Sequence, residues 1–274
     1  MKIVIAPDSY KESLSALEVA TAIEQGFREI WPDADYLKLP LADGGEGTVE
    51  AMVEATAGRI VHVEVTGPLG HRVNAFYGLS GDARSAFIEM AAASGLEQVP
   101  PAQRDPLKTT SWGTGELIRH ALDAGVEHII IGIGGSATND GGAAGGMGAA
   151  LYAFCGAQLR RGIEIVTDAL HLEACLADAD LVITGEGRID SQTIHGKVPI
   201  GVANIAKRYN KPVIGIAGSL TADVGVVHEH GLDAVFSVIY TICTLEDALK
   251  NASENVRMTA RNVAATLKAG QQLR

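Results

Sequence analysis

The chain is poor in cysteine. Its three, Cys155, Cys175 and Cys243, stand far apart in 274 residues. No pairing pattern links them, so they read as reduced thiols of a cytoplasmic protein, and a disulfide framework is excluded. An excess of positive charge is also missing. Against 33 Asp and Glu stand 22 Lys and Arg, a formal net charge of −11. That argues against nucleic acid or an anionic membrane as partner. No apolar run reaches the length that spans a bilayer. The opening Met1-Lys2-Ile3-Val4-Ile5-Ala6-Pro7-Asp8 is too short for a leader and is expected to form a strand. No His-Glu-x-x-His spacing occurs. His228 and His230 lie two apart, wrong for one helix face, so a zinc site is not expected. A Walker A motif is absent, because Gly196-Lys197 lacks the upstream glycine and the following Ser or Thr. The protein-kinase signatures are absent too.

What is present is glycine, set where strands end. The run His128-Ile129-Ile130-Ile131-Gly132 reads as a buried strand. It breaks into Ile133-Gly134-Gly135-Ser136-Ala137-Thr138-Asn139-Asp140-Gly141-Gly142. A plain surface turn needs one or two glycines, not a cluster. A loop of bare N–H groups at a strand's carboxyl end suits phosphate. The partial dinucleotide fingerprint of Gly132, Gly134 and Ala137 is weak, since no helix pattern follows at once and no acid stands at the expected distance.

Taken in order, 2–6 is a strand and 17–30 a helix, opened by a capping box of Ser15 and Glu18. Residues 36–41 form a second strand, which runs into Ala42-Asp43-Gly44-Gly45-Glu46-Gly47-Thr48, and 48–56 a helix. The texture then turns β-rich and antiparallel: 59–66 and 72–79 alternate around a turn at 67–70, and 87–92 is a short apolar run. Helices are expected at 114–124, 147–154, 163–176 and 200–209, with one long closing helix at 245–269. Strands are expected at 180–184, 212–217 and 234–239, with 185–197 and 218–219 as loops. Strands alternating with helices give a parallel α/β sheet with right-handed crossovers.

In such sheets ligands sit beyond the carboxyl ends of the strands. The loops there hold Asp8, Lys11, Asp43, Gly134, Gly135, Ser136, Asn139, Asp140, Glu186, Arg188, Asp190, Lys197 and Ser219. Glycine amides, hydroxyls, carboxylates and cations together suit phosphoryl transfer, where catalysis is mainly positioning and electrostatics. Each residue also has a plainer reading: the aspartates as loop caps, Glu186 with Arg188 as a surface ion pair, the lysines as solvated charges. Trp31, Trp112 and Met147 read as packing residues.

These loops resemble those of the bacterial type I glycerate kinases (glycerate 2-kinases). The matching stretches are Ala6-Pro7-Asp8-Ser9-Tyr10-Lys11-Glu12-Ser13, Ala42-Asp43-Gly44-Gly45-Glu46-Gly47-Thr48, and Gly132 to Gly142. Thr184-Gly185-Glu186-Gly187-Arg188-Ile189-Asp190, His195-Gly196-Lys197-Val198-Pro199 and Ile216-Ala217-Gly218-Ser219 match as well. The resemblance covers essentially the whole chain. It implies transfer of the ATP γ-phosphate to D-glycerate, giving 2-phosphoglycerate, with Mg²⁺. It implies a flavodoxin-like domain built from both chain ends, 1–58 and 172–274, and an inserted domain of restriction-endonuclease-like fold, 59–171. Lys11, Arg188 and Lys197 become candidates for phosphate or glycerate-carboxylate contacts. Gly134, Gly135, Ser136 and Asn139, with Asp140 and Glu186, become the nucleotide-binding set. Asp43, Asp140 and Asp190 become candidates for Mg²⁺ or for the base, in an order the sequence leaves open, as it leaves open a homodimer.

One departure is large. Family members continue after the Asp-Gly-Gly segment for a domain-sized piece that carries an Asp-x-Thr-Asn-Pro motif. Here Gly142-Ala143 runs straight into Ala144-Gly145-Gly146-Met147-Gly148. A shortened inserted domain should expose apolar surface or an unpaired strand edge. Three readings follow: an active glycerate kinase, a folded remnant that binds nucleotide or a partner without turnover, and a kinase for a related sugar acid.

Overall fold

Runs of aliphatic residues set the strands, and periodic apolar positions set the helices between them. The computed structural model describes residues 1–138 and 146–272. The first part of the chain forms β1 (Lys2–Ile5), α1 (Ala16–Arg28), β2 (Asp35–Lys38) and α2 (Thr48–Ala55). Then come β3 (Arg59–Thr66), β4 (Arg72–Leu79), β5 (Ser85–Glu89), α3 (Ala91–Ser94), α4 (Trp112–Asp123), β6 (His128–Gly132), α5 (Met147–Cys155) and α6 (Gly162–Ala169). The last part holds α7 (Leu172–Ala177), β7 (Leu181–Ile189), α8 (Val198–Arg208), β8 (Val213–Leu220), β9 (Ala234–Ser237), α9 (Leu245–Lys250) and α10 (Ala252–Gln271). The chain divides into two compact units, 1–43 with 170–274, and 44–169.

The first unit is a wholly parallel sheet in the order β2-β1-β7-β8-β9. Counted within the unit this is the 2-1-3-4-5 order of flavodoxin-like sheets. Ile3, Val4, Ile5, Val182 and Ile183 are wholly buried, as a parallel sheet covered on both faces requires. Ile23, Phe27, Val256 and Val263 from α1 and α10 close one face. Those two helices touch backbone to backbone at Gly26, where an added Cβ would lie 2.2 Å from the Arg257 carbonyl oxygen. The capping box of α1 forms as its sequence predicts, with the Ser15 N–H donating to Glu18 at 2.8 Å and Ser15 Oγ accepting from the Glu18 N–H.

The second unit holds a four-stranded sheet in the order β3-β4-β5-β6. β3 and β4 pair antiparallel from Arg59↔Leu79 to Thr66↔Arg72, the hairpin legible in the sequence. β6 pairs parallel with β5, so the sheet is mixed and not antiparallel throughout. The reason is α4, whose crossover delivers β6 in the same direction as β5. Tyr77, Ile88, Leu117 and Ala121 form its core. α2 packs within this unit, on the far side of the 58–59 boundary expected from the sequence.

Three expected elements are corrected. The helix expected at 163–176 is two, α6 and α7, parted at His171 with φ +50°. The closing helix is also two, since Asn251 turns out of helical geometry and its side chain caps the Asp247 carbonyl at 2.8 Å. Residues 185–189 and 218–219 are strand, not loop. Their glycines are there for closeness: a Cβ on Gly185 would lie 2.0 Å from the Ile216 carbonyl oxygen. Among the described residues no helix is long and apolar enough to cross a membrane.

α5 buries only Met147 and Gly148 of its nine residues, while Tyr152 is 66% and Phe154 89% exposed. An apolar helix face left to water is unusual for a folded surface.

Gly26→Ala should separate α1 from α10 and cost about 1–3 kcal/mol. A lower urea midpoint with an unchanged slope would show it; an unchanged midpoint would mean the two helices yield freely.

Candidate active site

In the first unit the strand order reverses between β1 and β7. Ligands of open α/β sheets bind beyond the carboxyl ends of the strands at such a point. The chain leaving β1 stays pinned to β7 there. The Ala6 N–H donates to the Ile183 carbonyl at 2.7 Å and the Asp8 N–H to the Gly185 carbonyl at 2.8 Å. Thr184 Oγ1 donates to the Ala6 carbonyl at 2.8 Å. Buried Tyr10 reaches across β7 and donates its hydroxyl to the Ile216 carbonyl at 2.7 Å.

Around this seam lie the acids. Glu186 is only 6% exposed. Its two oxygens accept from Thr193 Oγ1 at 2.6 Å and from Lys197 Nζ at 3.0 Å. Burial pushes its carboxyl above the usual range, against the pull of Thr193 and Lys197. Asp190 caps the short 3₁₀ turn Ser191–Ile194, accepting from the Gln192 N–H at 2.9 Å, and takes a 3.2 Å ion pair from Arg188 Nε. Lys197 stands at the N-cap of α8. Among the described residues Asp8 is held only by Ser9, whose N–H donates to Oδ1 at 2.7 Å and whose hydroxyl lies at 3.4 Å. Burial first, then the charges of Asp43 and Glu186, push the Asp8 carboxyl up to about 7. Asp43 itself is exposed, as is Lys11, which forms no ion pair among the described residues.

The glycine loops lie in the second unit. Gly134 and Gly135 are exposed, and Ser136 bridges to Gly95. Ser136 Oγ accepts from the Thr138 N–H at 3.1 Å. The loop 44–47 lies against them: a Cβ on Gly132 would meet the Gly44 carbonyl oxygen at 2.5 Å, and one on Gly134 the Gly45 Cα at 3.3 Å. Asn139 and Asp140 fall outside the described residues.

The structure thus gathers Asp8, Asp43, Glu186, Arg188, Asp190 and Lys197 at one end of the first sheet, and Gly134, Gly135 and Ser136 at the end of β6. Glu186, assigned from the sequence to nucleotide contact, spends both oxygens on Thr193 and Lys197. Two acids carry more weight than the sequence assigned. For Asp8 the sequence leaves a functional role and a loop cap both open; its signal is the strand end before it. Glu89 was missed. It is the lone acid in Ala86-Phe87-Ile88-Glu89-Met90-Ala91, and it is buried at the end of β5.

A parallel α/β sheet with acids and cations at its switch point is the equipment of an enzyme that handles charged substrates, and comparison gives that class its name. The profile of the glycerate kinase family matches residues 3–144 and again 141–268. The Glycerate 2-kinase of Escherichia coli K12 is 51% identical over 378 positions, which take in 99% of each chain. The Glycerate kinase of Bacillus subtilis 168 is 44% identical over 379 positions, 100% of this chain and 99% of the relative. A solved crystal structure assigned to a glycerate kinase 2 of Salmonella typhimurium LT2 is 70% identical, with a TM-score of 0.86 and 99% of both chains covered. The chain belongs to the glycerate kinase family and is an enzyme of the kinase class.

The break in the family match, at 141–144, falls where the sequence runs directly from one glycine stretch to the next. Alignments of about 378 positions for a chain of 274 leave a domain-sized stretch of the relatives with no counterpart here. α5 begins three residues after that break, and its uncovered apolar face accords with the loss of a neighbour.

Asp8→Asn tests the acid cluster through stability. The folded carboxyl titrates near 7 and the unfolded one near 3.8, so the folded state binds the extra proton between those values. The stability this gives is complete below about pH 4 and is lost as pH rises through 7. At pH 8, Asp8→Asn should therefore be more stable than the parent by on the order of 2–4 kcal/mol, and the gap should close toward pH 4. Equal melting temperatures at pH 8 would show that Asp8 is not held against its charge.

Proposed function

We propose that this enzyme transfers the γ-phosphoryl group of ATP to the 2-hydroxyl of D-glycerate, giving 2-phospho-D-glycerate and ADP, with Mg²⁺. The observation that carries the reading is the acid cluster of Asp8, Asp43 and Glu186 at the β1/β7 seam, with Lys197 and Arg188 beside it. In the reaction the glycerate oxygen bonds to the γ-phosphorus, the bond from that phosphorus to the bridging oxygen breaks, and ADP leaves with the electron pair. The hydroxyl proton goes to a carboxylate. Glu186 and Asp190 have their oxygens engaged, whereas among the described residues Asp8 is held only by Ser9. That leaves Asp8 best placed to take the proton, a role within reach of any carboxylate so positioned.

Lys11, exposed and without an ion pair among the described residues, is assigned to the substrate carboxylate or a phosphate. Arg188, also exposed, is assigned to bidentate phosphate contact. Gly134, Gly135 and Ser136, with Asn139, are assigned to the nucleotide phosphates. Mg²⁺ fits the donor set. No group of three or more His, Cys, Asp or Glu is arranged to hold a metal among the described residues. Magnesium in phosphoryl transfer asks for only one or two carboxylates beside the phosphates. Asp43, whose charge bears on Asp8, is the candidate ligand, with Asp190 and Asp140 after it. Bound there, it would neutralise charge developing on the transferring group.

A second reading has an observation of its own. The uncovered α5 and the absent stretch favour a folded chain that binds nucleotide and does not turn over.

ADP release with Mg-ATP, with and without D-glycerate, separates the two. Glycerate-dependent turnover of about 1–100 per second, with ³¹P spectra of the product matching the 2-phosphate, supports the enzyme reading. No turnover from a chain whose melting temperature rises with Mg-ATP supports the second. In the active case Lys11→Met should lower kcat/KM by about 100-fold or more without moving the melting temperature. A smaller loss would remove Lys11 from the site.

A further inference from the structure

Glu89 closes β5 with its side chain 6% exposed, far more buried than a glutamate ordinarily is. Its Oε1 accepts the Val49 N–H at 2.9 Å, in the first turn of α2. Burial pushes its carboxyl up to about 7, against the pull of the Val49 and Thr48 amides and with the charges of Glu50 and Glu46 adding to the rise. A buried acid so far from water needs the Val49 amide, and that amide needs it, because the first N–H groups of a helix have no partner within the helix.

Its position joins two loops that are far apart in sequence. The residues before α2 are the glycine loop 44–47, in which Thr48 Oγ1 turns back to donate to the Gly45 carbonyl at 2.7 Å. On the other side Glu89 is the register partner of Gly132, and the Met90 N–H donates to the Gly132 carbonyl at 2.9 Å. Gly132 opens the second glycine loop and lies against Gly44 so closely that no Cβ fits. One carboxylate thus stands between the helix that follows the first loop and the strand that feeds the second.

We propose that Glu89 is a positioning residue, which holds the glycine loops 44–47 and 132–135 in one fixed arrangement by capping α2 from inside the second unit. The inner carboxylate takes the Val49 amide, and the Thr48 amide donates to the Gly45 carbonyl at 3.3 Å. A nucleotide phosphate is therefore met by the glycine loops themselves and not by that helix N-terminus. The nucleotide part of this inference rests on the function proposed above; the coupling of the loops does not.

Hydrogen exchange and steady-state kinetics on Glu89→Ala and Glu89→Gln test it. In Glu89→Ala the amides of 44–49 and of 132–136 should both exchange about tenfold faster or more, while α10 in the first unit keeps its protection. The KM for Mg-ATP should rise by about tenfold with kcat falling less than about threefold, as expected when ground-state and transition-state contacts are lost alike. Glu89→Gln keeps an acceptor oxygen at the same reach and should recover most of both effects. It also serves as the reporter, with smaller changes of the same pattern, if the alanine variant does not fold. Faster exchange confined to 48–55, or a lower melting temperature with KM for Mg-ATP unmoved, would overturn the proposal. If the parent binds no Mg-ATP yet both loops loosen together, the function fails while the coupling of the loops stands.

Discussion

The pairing of β1 with β7 is the constraint on which the candidate site depends. Two strands from opposite ends of the sequence lie side by side, with Ile3 opposite Leu181 and Ile5 opposite Ile183. The ladder does not stop where β1 does. It runs on through the Asp8 N–H to the Gly185 carbonyl, and Tyr10 carries the connection to β8. That extension decides where Asp8 stands and how much water reaches it. A one-residue slip would turn each side chain to the other face of the sheet. Asp8 would then leave the field of Glu186 and Asp43.

The acids at this seam show stability yielding to chemistry. Glu186 keeps its burial tolerable by engaging Thr193 and Lys197. Asp190 does so through a cap and an arginine. Asp8 has a weaker arrangement, and its carboxyl is pushed up to about 7. A protein selected for stability alone would place an asparagine there. Departures of this kind from local consistency are expected where a site has work to perform. Glu89 is also pushed up to about 7, and its reason differs: its oxygen is spent on α2 rather than offered to a ligand.

Much of the fold is legible in the sequence because its signals are local. The hairpin of β3 and β4 shows as alternation on either side of Gly67-Pro68-Leu69-Gly70, and its strands fall where that pattern puts them. The capping box at Ser15 is equally local. The failures come from residues whose meaning is set by a distant neighbour. Gly185 and Gly218 read as loop residues, yet each permits close approach of a neighbouring strand. Asn251 breaks the last helix without a proline or glycine to announce it. In the site, Arg188 lies within β7 itself, whereas the loops carrying Lys11, Asp43 and Lys197 are legible as following strand ends. Which acid is free and which engaged is not, since Thr193, Ser9 and Lys197 decide it through space. Glu89 hid for the opposite reason: a single acid in an apolar run looks like the end of a strand.

The way the chain is shared between the two units has a consequence for its synthesis. The second unit is continuous from 44 to 169, and most of its strand pairs join neighbours in sequence. The first unit owns the two ends, and β1 has no partner on the β7 side until residue 181 and beyond has been made. Contacts that close long loops form slowly, and domains tend to fold as units as they emerge. A chain delivered in order can complete the strand pairs of the second unit while β1 still waits with one edge unpaired. For that interval the aliphatic Ile3-Val4-Ile5 edge is open, and the rate at which the last hundred or so residues are delivered sets how long a nascent chain is vulnerable to edge-to-edge association.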